Sequence, residues 1–115
     1  DNLNSWTRSR GRLTMRHNAG FAAALVTHAH ARGLAAAQKN DADMLALRSV
    51  TRFDFAVVEE CGEYDECGEF TAVYGEMVFA IEYTETGLVA ACAAAGTMSA
   101  TAATRNVSNW RQPVM

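Results

Sequence analysis

The sequence predicts an α/β fold built on a parallel sheet, and three observations carry that prediction. Short apolar runs of strand character alternate with alanine-rich segments of helical period, the pattern of consecutive βαβ units. Four of the runs are closed by a polar residue, Lys39, Glu59, Glu82 and Arg105, at spacings of 20, 23 and 23 residues. In a parallel sheet all four fall on one edge. Four such units in 115 residues amount to half of the roughly 250 residues of a (β/α)8 TIM barrel. The competing arrangement is a small doubly wound parallel sheet, but its usual glycine-rich loop after the first strand is absent. A half barrel leaves two strand edges open, which is a hazard unless something covers them.

The elements follow in order. From Thr14 to Arg32, Phe21, Leu25, Val26, Ala29 and neighbouring alanines recur at helical spacing, and Gly33 is a natural stop. Leu34 to Gln38 reads as a short strand leading into Lys39 and Asn40. Asp41 to Val50 reads as a short helix, with Asn40 or Asp41 as N-cap and Met44, Leu45 and Leu47 facing inward. Phe53 to Val58 has the aromatic and β-branched content of a strand. A loop or helix then runs through Tyr64, Phe70 and Tyr74 to a break at Gly75. Met77 to Ile81 is the clearest strand, ending in Glu82 and Tyr83. Leu88 to Ala95 is helical and stopped by Gly96, and Met98 to Ala103 is a weak strand ending at Thr104 and Arg105.

Composition narrows the function classes. The chain is long enough for one domain, and half of it is hydrophobic with one fifth charged, as in ordinary globular proteins. The net charge of −3 gives no global nucleic-acid footprint, and no Lys/Arg cluster forms a phosphate-binding stripe. No run of 18 apolar residues marks a membrane span. The chain opens at Asp1 without an initiator methionine and reads as a mature product or a fragment. Glu59, Glu60, Glu63, Asp65, Glu66 and Glu69 form an acidic block, either a solvated face or an attractor for a cationic ligand.

Cys61, Cys67 and Cys92 do not have zinc-module spacing, and nothing calls for a metal or an organic cofactor. Cys61 and Cys67 either form a bridge, in an oxidising compartment, or remain reduced. His28 and His30 stand two apart on a helix and point to different faces, while His17 has no partner in sequence. No serine has the surroundings of a nucleophile elbow. Asn106-Val107-Ser108 matches a glycosylation sequon, a three-residue pattern that chance supplies often.

Chemistry concentrates where the Phe53–Val58 run meets Glu59 and Glu60. Carboxylates are almost never fully buried unless paired, so they belong at the rim of the sheet, where α/β proteins place ligands. A nearby lysine keeps a carboxylate ionised and a second carboxylate favours the protonated form. Lys39 and Glu60 supply both influences on Glu59.

The phrases AHARGLAAAQKND (Ala29 to Asp41), FDFAVVEECGEYDEC (Phe53 to Cys67) and VFAIEYT (Val78 to Thr84), with the closing WRQP (Trp110 to Pro113), resemble glycoside hydrolase family 114. These are endo-α-1,4-polygalactosaminidases built on a TIM barrel. The resemblance runs over nearly the whole chain and implies one partial domain, residues 1–115, the C-terminal half of the barrel. Asp1-Asn2 is similar to the end of the family's Glu-x-Asp-Asn motif after strand four. Asp1 and Glu59 then correspond to the catalytic carboxylates, with Asn2, Lys39, Asn40, Glu60, Asp65, Glu66, Glu82 and Tyr83 as substrate-binding residues.

An acidic rim of Asp65, Glu66 and Glu82 would attract a cationic galactosamine polymer. Val58 and Glu60 stand where the family has asparagine and glutamine. Val114 replaces a cysteine and leaves Cys92 without that partner. The implied partners are a galactosamine-containing polysaccharide and the N-terminal half of the barrel, and the implied setting is secreted or cell-surface. The alternative is a non-catalytic truncated barrel that binds carbohydrate or depends on a partner.

Overall fold

The computed structural model describes residues 2–94 and the backbone of residues 103 and 104. The described elements run in the order α1 (Met15–His30), β1 (Ala37–Lys39), α2 (Arg48–Thr51), β2 (Phe55–Glu59), α3 (Cys67–Tyr74), β3 (Val78–Glu82), α4 (Glu85–Ala94) and β4 (Ala103–Thr104), with 3-10 turns at Ser5–Arg8 and Ala42–Leu47. The strands form one sheet in the order β1-β2-β3-β4, and every pairing is parallel. Sequential parallel strands with helical crossovers are the repeating unit of a (β/α)8 barrel, and the chain is a partial one. No helix among the described residues is long and apolar enough to cross a membrane.

Strand alternation decides which side chains go where. In β2 and β3 every second residue is buried: Ala56 and Val58, then Val78, Ala80 and Glu82. The apolar members of this set share a core with Ala22 and Val26 of α1, Phe70 and Tyr74 of α3 and Ala91 of α4, so this is the helix-covered face. The alternate residues Phe55, Val57, Phe79 and Ile81 point to the other face, the side that becomes the inside of a barrel. They are only half-buried there, and the Phe55 and Phe79 rings meet edge to face at 5.6 Å. Burying Phe70 against the sheet contributes about 2–3 kcal/mol.

Helix ends differ from their expected positions for local reasons. Thr14 is the N-cap of α1, with its Oγ1 accepting from the His17 amide at 3.3 Å and its own amide donating to His17 Nδ1 at 3.0 Å. His17 thus has the partner its sequence context did not reveal. Phe21 and Leu25, expected in the helix's apolar stripe, are largely exposed and with Leu3, Ala36 and Phe53 line an open groove beside β1. The inward stripe is Asn18, Ala19, Ala22 and Val26.

The Asp41–Val50 segment is a 3-10 turn followed by one turn of α-helix. Asp41 is in its N-cap position but left-handed, without a side-chain capping bond. Gly75 ends α3 at φ 59°. The last strand is two residues, Ala103–Thr104, paired with Ile81 and Glu82. Gly96, Arg105, the Asn106 sequon and the WRQP segment lie outside the described residues, as does most of the Met98–Ala103 run.

One close approach fixes how α4 meets the turn after β2. A Cβ on Gly62 would stand 2.1 Å from the Gly87 carbonyl oxygen and 2.6 Å from the Ala91 nitrogen, both backbone atoms that cannot rotate away. Gly62→Ala is expected to destabilise the chain by about 2–3 kcal/mol or more, measured as a fall in the urea midpoint with an unchanged m-value.

Candidate active site

The C-terminal ends of β1, β2 and β3 bring three polar side chains onto the helix-free face. Lys39 ends β1, Glu59 ends β2 and Tyr83 follows β3. Each lies at the parity of the half-buried face, in step with Ala37, Val57 and Ile81. Glu59 is the centre of the group. Its Oε2 accepts from Lys39 Nζ at 2.6 Å and from Asn40 Nδ2 at 3.2 Å. Its Oε1 accepts a short hydrogen bond from the Tyr83 hydroxyl, and its backbone amide donates to Asn40 Oδ1 at 2.7 Å. Asn40 Nδ2 also reaches Asn2 Oδ1 at 3.1 Å, which places the N-terminal segment beside the site.

All these side-chain contacts favour the carboxylate. Lys39, then Tyr83, then Asn40 donate to Glu59 and together pull its carboxyl from 4.5 down to about 2, with burial opposing them weakly. About a third of the Glu59 side chain is accessible, so the group is ionised yet reachable. An ionised, exposed carboxylate with fixed neighbours can attract an ammonium group or act as base or nucleophile.

Other expected site residues have different surroundings. Glu82 does not line the cleft: it is fully buried and its Oε1 accepts from the Gly62 amide at 2.7 Å. Strand parity is the reason, since Glu82 and Tyr83 are neighbours and must point to opposite faces. Glu82 Oε2 has no hydrogen-bond partner, and a Cβ on Gly87 would come within 2.5 Å of it. The expected acidic rim of Asp65, Glu66 and Glu82 therefore lacks its third member.

Glu60 and Asp65 adopt left-handed backbone at φ 59° and 58° in the turn that follows β2. There the Glu66 amide donates to the Cys61 carbonyl at 2.8 Å. Asp65 is exposed, Glu60 and Glu66 half-buried. Cys61 and Cys67 are joined by a disulfide that ties this turn to the first residue of α3, and Cys92 is free and exposed. Ligand-type atoms of Cys61, Cys67 and Glu82 lie within 4.8 Å of one another, but sulfurs bonded to each other are not the thiolates a metal requires. Asp1 lies outside the described residues.

Two buried residues that sequence reasoning passed over also belong to this end of the sheet. Gln38 is in β1 and Tyr74 in α3, and the Tyr74 hydroxyl donates to Gln38 Oε1 at 2.8 Å. A buried glutamine in a short strand is the signal that could have marked them, because such an amide needs partners.

The model of glycoside hydrolase family GH114 matches residues 1–114. No curated protein sequence matches the chain significantly. Among solved structures, the chain is similar to the crystal structure of Aspergillus fumigatus Ega3 in complex with galactosamine, at 26% identity and a TM-score of 0.74. The match covers 92% of this chain and 48% of that one, so the chain spans about half the length of that protein.

The low titration point of Glu59 sets a pH dependence of stability. Its folded value lies below the ordinary 4.5, so the pairing stabilises the fold fully above pH 4.5 and the gain is lost as pH falls through about 2. Asp54, lowered by the Ala36 amide and His30, adds a separate loss in the acid range. Urea midpoints measured across this range should fall with pH in the wild type and fall less in Glu59→Gln. The difference between the two should shrink in high salt.

Proposed function

Because the chain belongs to glycoside hydrolase family GH114, we propose that it is the C-terminal half of a hydrolase barrel that cleaves α-1,4-linked galactosamine polysaccharide. The observation that carries the reading is Glu59, ionised, partly accessible and held by Lys39, Asn40 and Tyr83 at the C-terminal edge of the strands, the edge at which barrels keep their chemistry. The galactosamine in the Ega3 structure supports the choice of sugar. An unacetylated galactosamine unit is cationic, and a fixed carboxylate attracts it with a strength that falls as salt rises.

Glycosidic cleavage takes one protonated carboxyl for the leaving oxygen and one carboxylate as nucleophile or base. In the geometry seen, Glu59 takes the carboxylate part, since Lys39 and Tyr83 both stabilise its ionised form. Asp1, the residue preceding Asn2, is the proposed second carboxyl. Asn2, Lys39, Asn40 and Tyr83 would contact sugar around Glu59, and Glu60, Asp65 and Glu66 would extend the acidic rim. Glu82 acts from behind the sheet and is not a sugar contact in this reading. The Cys61–Cys67 disulfide suits a secreted or cell-surface setting.

The open groove beside β1, with exposed Phe21 and Leu25, favours a second reading: a partial barrel that docks on a partner half and binds carbohydrate without cleaving it. Release of reducing ends from deacetylated α-1,4-galactosamine polymer separates the two. The hydrolase reading predicts activity when the preceding barrel strands of a family member are joined to this chain. Glu59→Gln should then reduce it by about 10²-fold or more. Sugar binding without any release of reducing ends in the joined protein would leave the second reading standing.

A further inference from the structure

Asn40 touches Glu59 twice, through Nδ2 to the carboxylate and through Oδ1 to the amide, yet it lies in a turn rather than a strand. Its backbone is left-handed at φ 52°, and so is that of Asp41 at φ 66°. Two consecutive non-glycine residues in this region are unusual, although asparagine and aspartate tolerate it best. Something must hold the turn. The Asn40 amide is fixed to the Val57 carbonyl at 3.0 Å, and the two carbonyls of the turn need donors of their own.

Both carbonyls accept from one side chain, and the Asp41 oxygen accepts from the Met44 amide as well, at 3.0 Å. Gln38 Nε2 donates to the Asn40 oxygen at 3.0 Å and to the Asp41 oxygen at 2.9 Å. Gln38 Oε1 accepts from the Tyr74 hydroxyl at 2.8 Å. Gln38 is 1% exposed and Tyr74 7%. The amide has both donors and an acceptor position occupied, and two carbonyl acceptors fix which end is nitrogen. Strand parity places Gln38 on the helix-covered face and Lys39 on the site face. Adjacent residues of β1 therefore serve Glu59 from opposite sides of the sheet, Lys39 by contact and Gln38 through the turn.

We propose that Gln38, braced by Tyr74, is a positioning residue that holds the Asn40–Asp41 turn left-handed and so aims the Asn40 side chain at Glu59. Its bearing on catalysis rests on the reading of Glu59 as a reacting carboxylate; the positioning itself does not. Tyr74 extends the arrangement to α3, whose first residue, Cys67, is disulfide-bonded to the turn following Glu59. The helix that braces Gln38 is therefore also fastened to the strand end that carries the carboxylate.

Gln38→Glu tests the inference with almost no change of shape. Glutamate keeps the acceptor for Tyr74 and, facing two carbonyl oxygens, offers at most one donor in its protonated form where the amide offers two. Amide hydrogen exchange on the 115-residue chain, followed residue by residue by NMR, reads the outcome. Exchange at the Glu59 amide should quicken by about tenfold or more, as expected when a buried hydrogen-bond network loses a donor, while the amides of β3 keep their protection. Tyr74→Phe, a milder change that removes one hydroxyl, should act in the same direction and to a smaller extent.

Unchanged exchange at Glu59 in a folded Gln38→Glu variant would overturn the proposal. So would an equal rise at Glu59 and throughout β3, which would reduce Gln38 to a general contributor to stability. If Gln38→Glu does not fold, the same two comparisons are decided on Tyr74→Phe. No substrate is involved, so failure here strikes the positioning role alone, and failure of the polymer assay strikes the hydrolase reading alone.

Discussion

Successive residues of a strand must face opposite sides of the sheet, and in this chain that constraint sorts almost every polar residue of interest. One face is covered by α1, α3 and α4, and the other is half open. At the C-terminal edge the alternation sends Lys39, Glu59 and Tyr83 to the open face and Gln38 and Glu82 beneath the helices. The open-face set makes direct contact around one carboxylate. The covered set makes buried hydrogen bonds to the backbone of the turns that leave β1 and β2. The open-face cluster around Glu59 and its buried support are thus written on alternate residues of the same strands.

The electrostatics follow from that placement. A carboxylate with a lysine at 2.6 Å in a partly solvated place keeps part of its hydration, so the desolvation penalty is smaller than for a fully buried ion pair. The cation, the phenol and the amide all act on the same side of the titration. Glu60, the adjacent residue in sequence, belongs to a left-handed turn, and the main influences on Glu59 come from other elements. Proximity along the chain mattered less than the meeting of three strand ends.

Much of the architecture was legible in the sequence, because apolar runs and alanine-rich segments alternate and each run ends on a polar residue. The family resemblance agreed with that pattern and with the match over residues 1–114. The meeting of Lys39, Asn40 and Tyr83 at Glu59 was partly legible through their places at strand ends. Glu82 was misplaced because Glu82 and Tyr83 were read as a pair, whereas period-two alternation allows only one of two neighbours to face a site. Gln38 and Tyr74 were missed because their importance lies in a hydrogen bond across 36 positions, which no local pattern reveals. The exposure of Phe21 and Leu25 was not legible, because helical periodicity shows an apolar stripe without showing what covers it.

The central claim is that Lys39, Asn40 and Tyr83 hold Glu59 as an ionised, accessible carboxylate. The most direct test is a titration of the Glu59 side-chain carboxyl carbon by NMR in the intact chain. The account predicts a midpoint near 2, moved upward by Lys39→Met and, to a smaller extent, by Tyr83→Phe. A midpoint at or above 4.5 in the wild type, unmoved by either substitution, would contradict it.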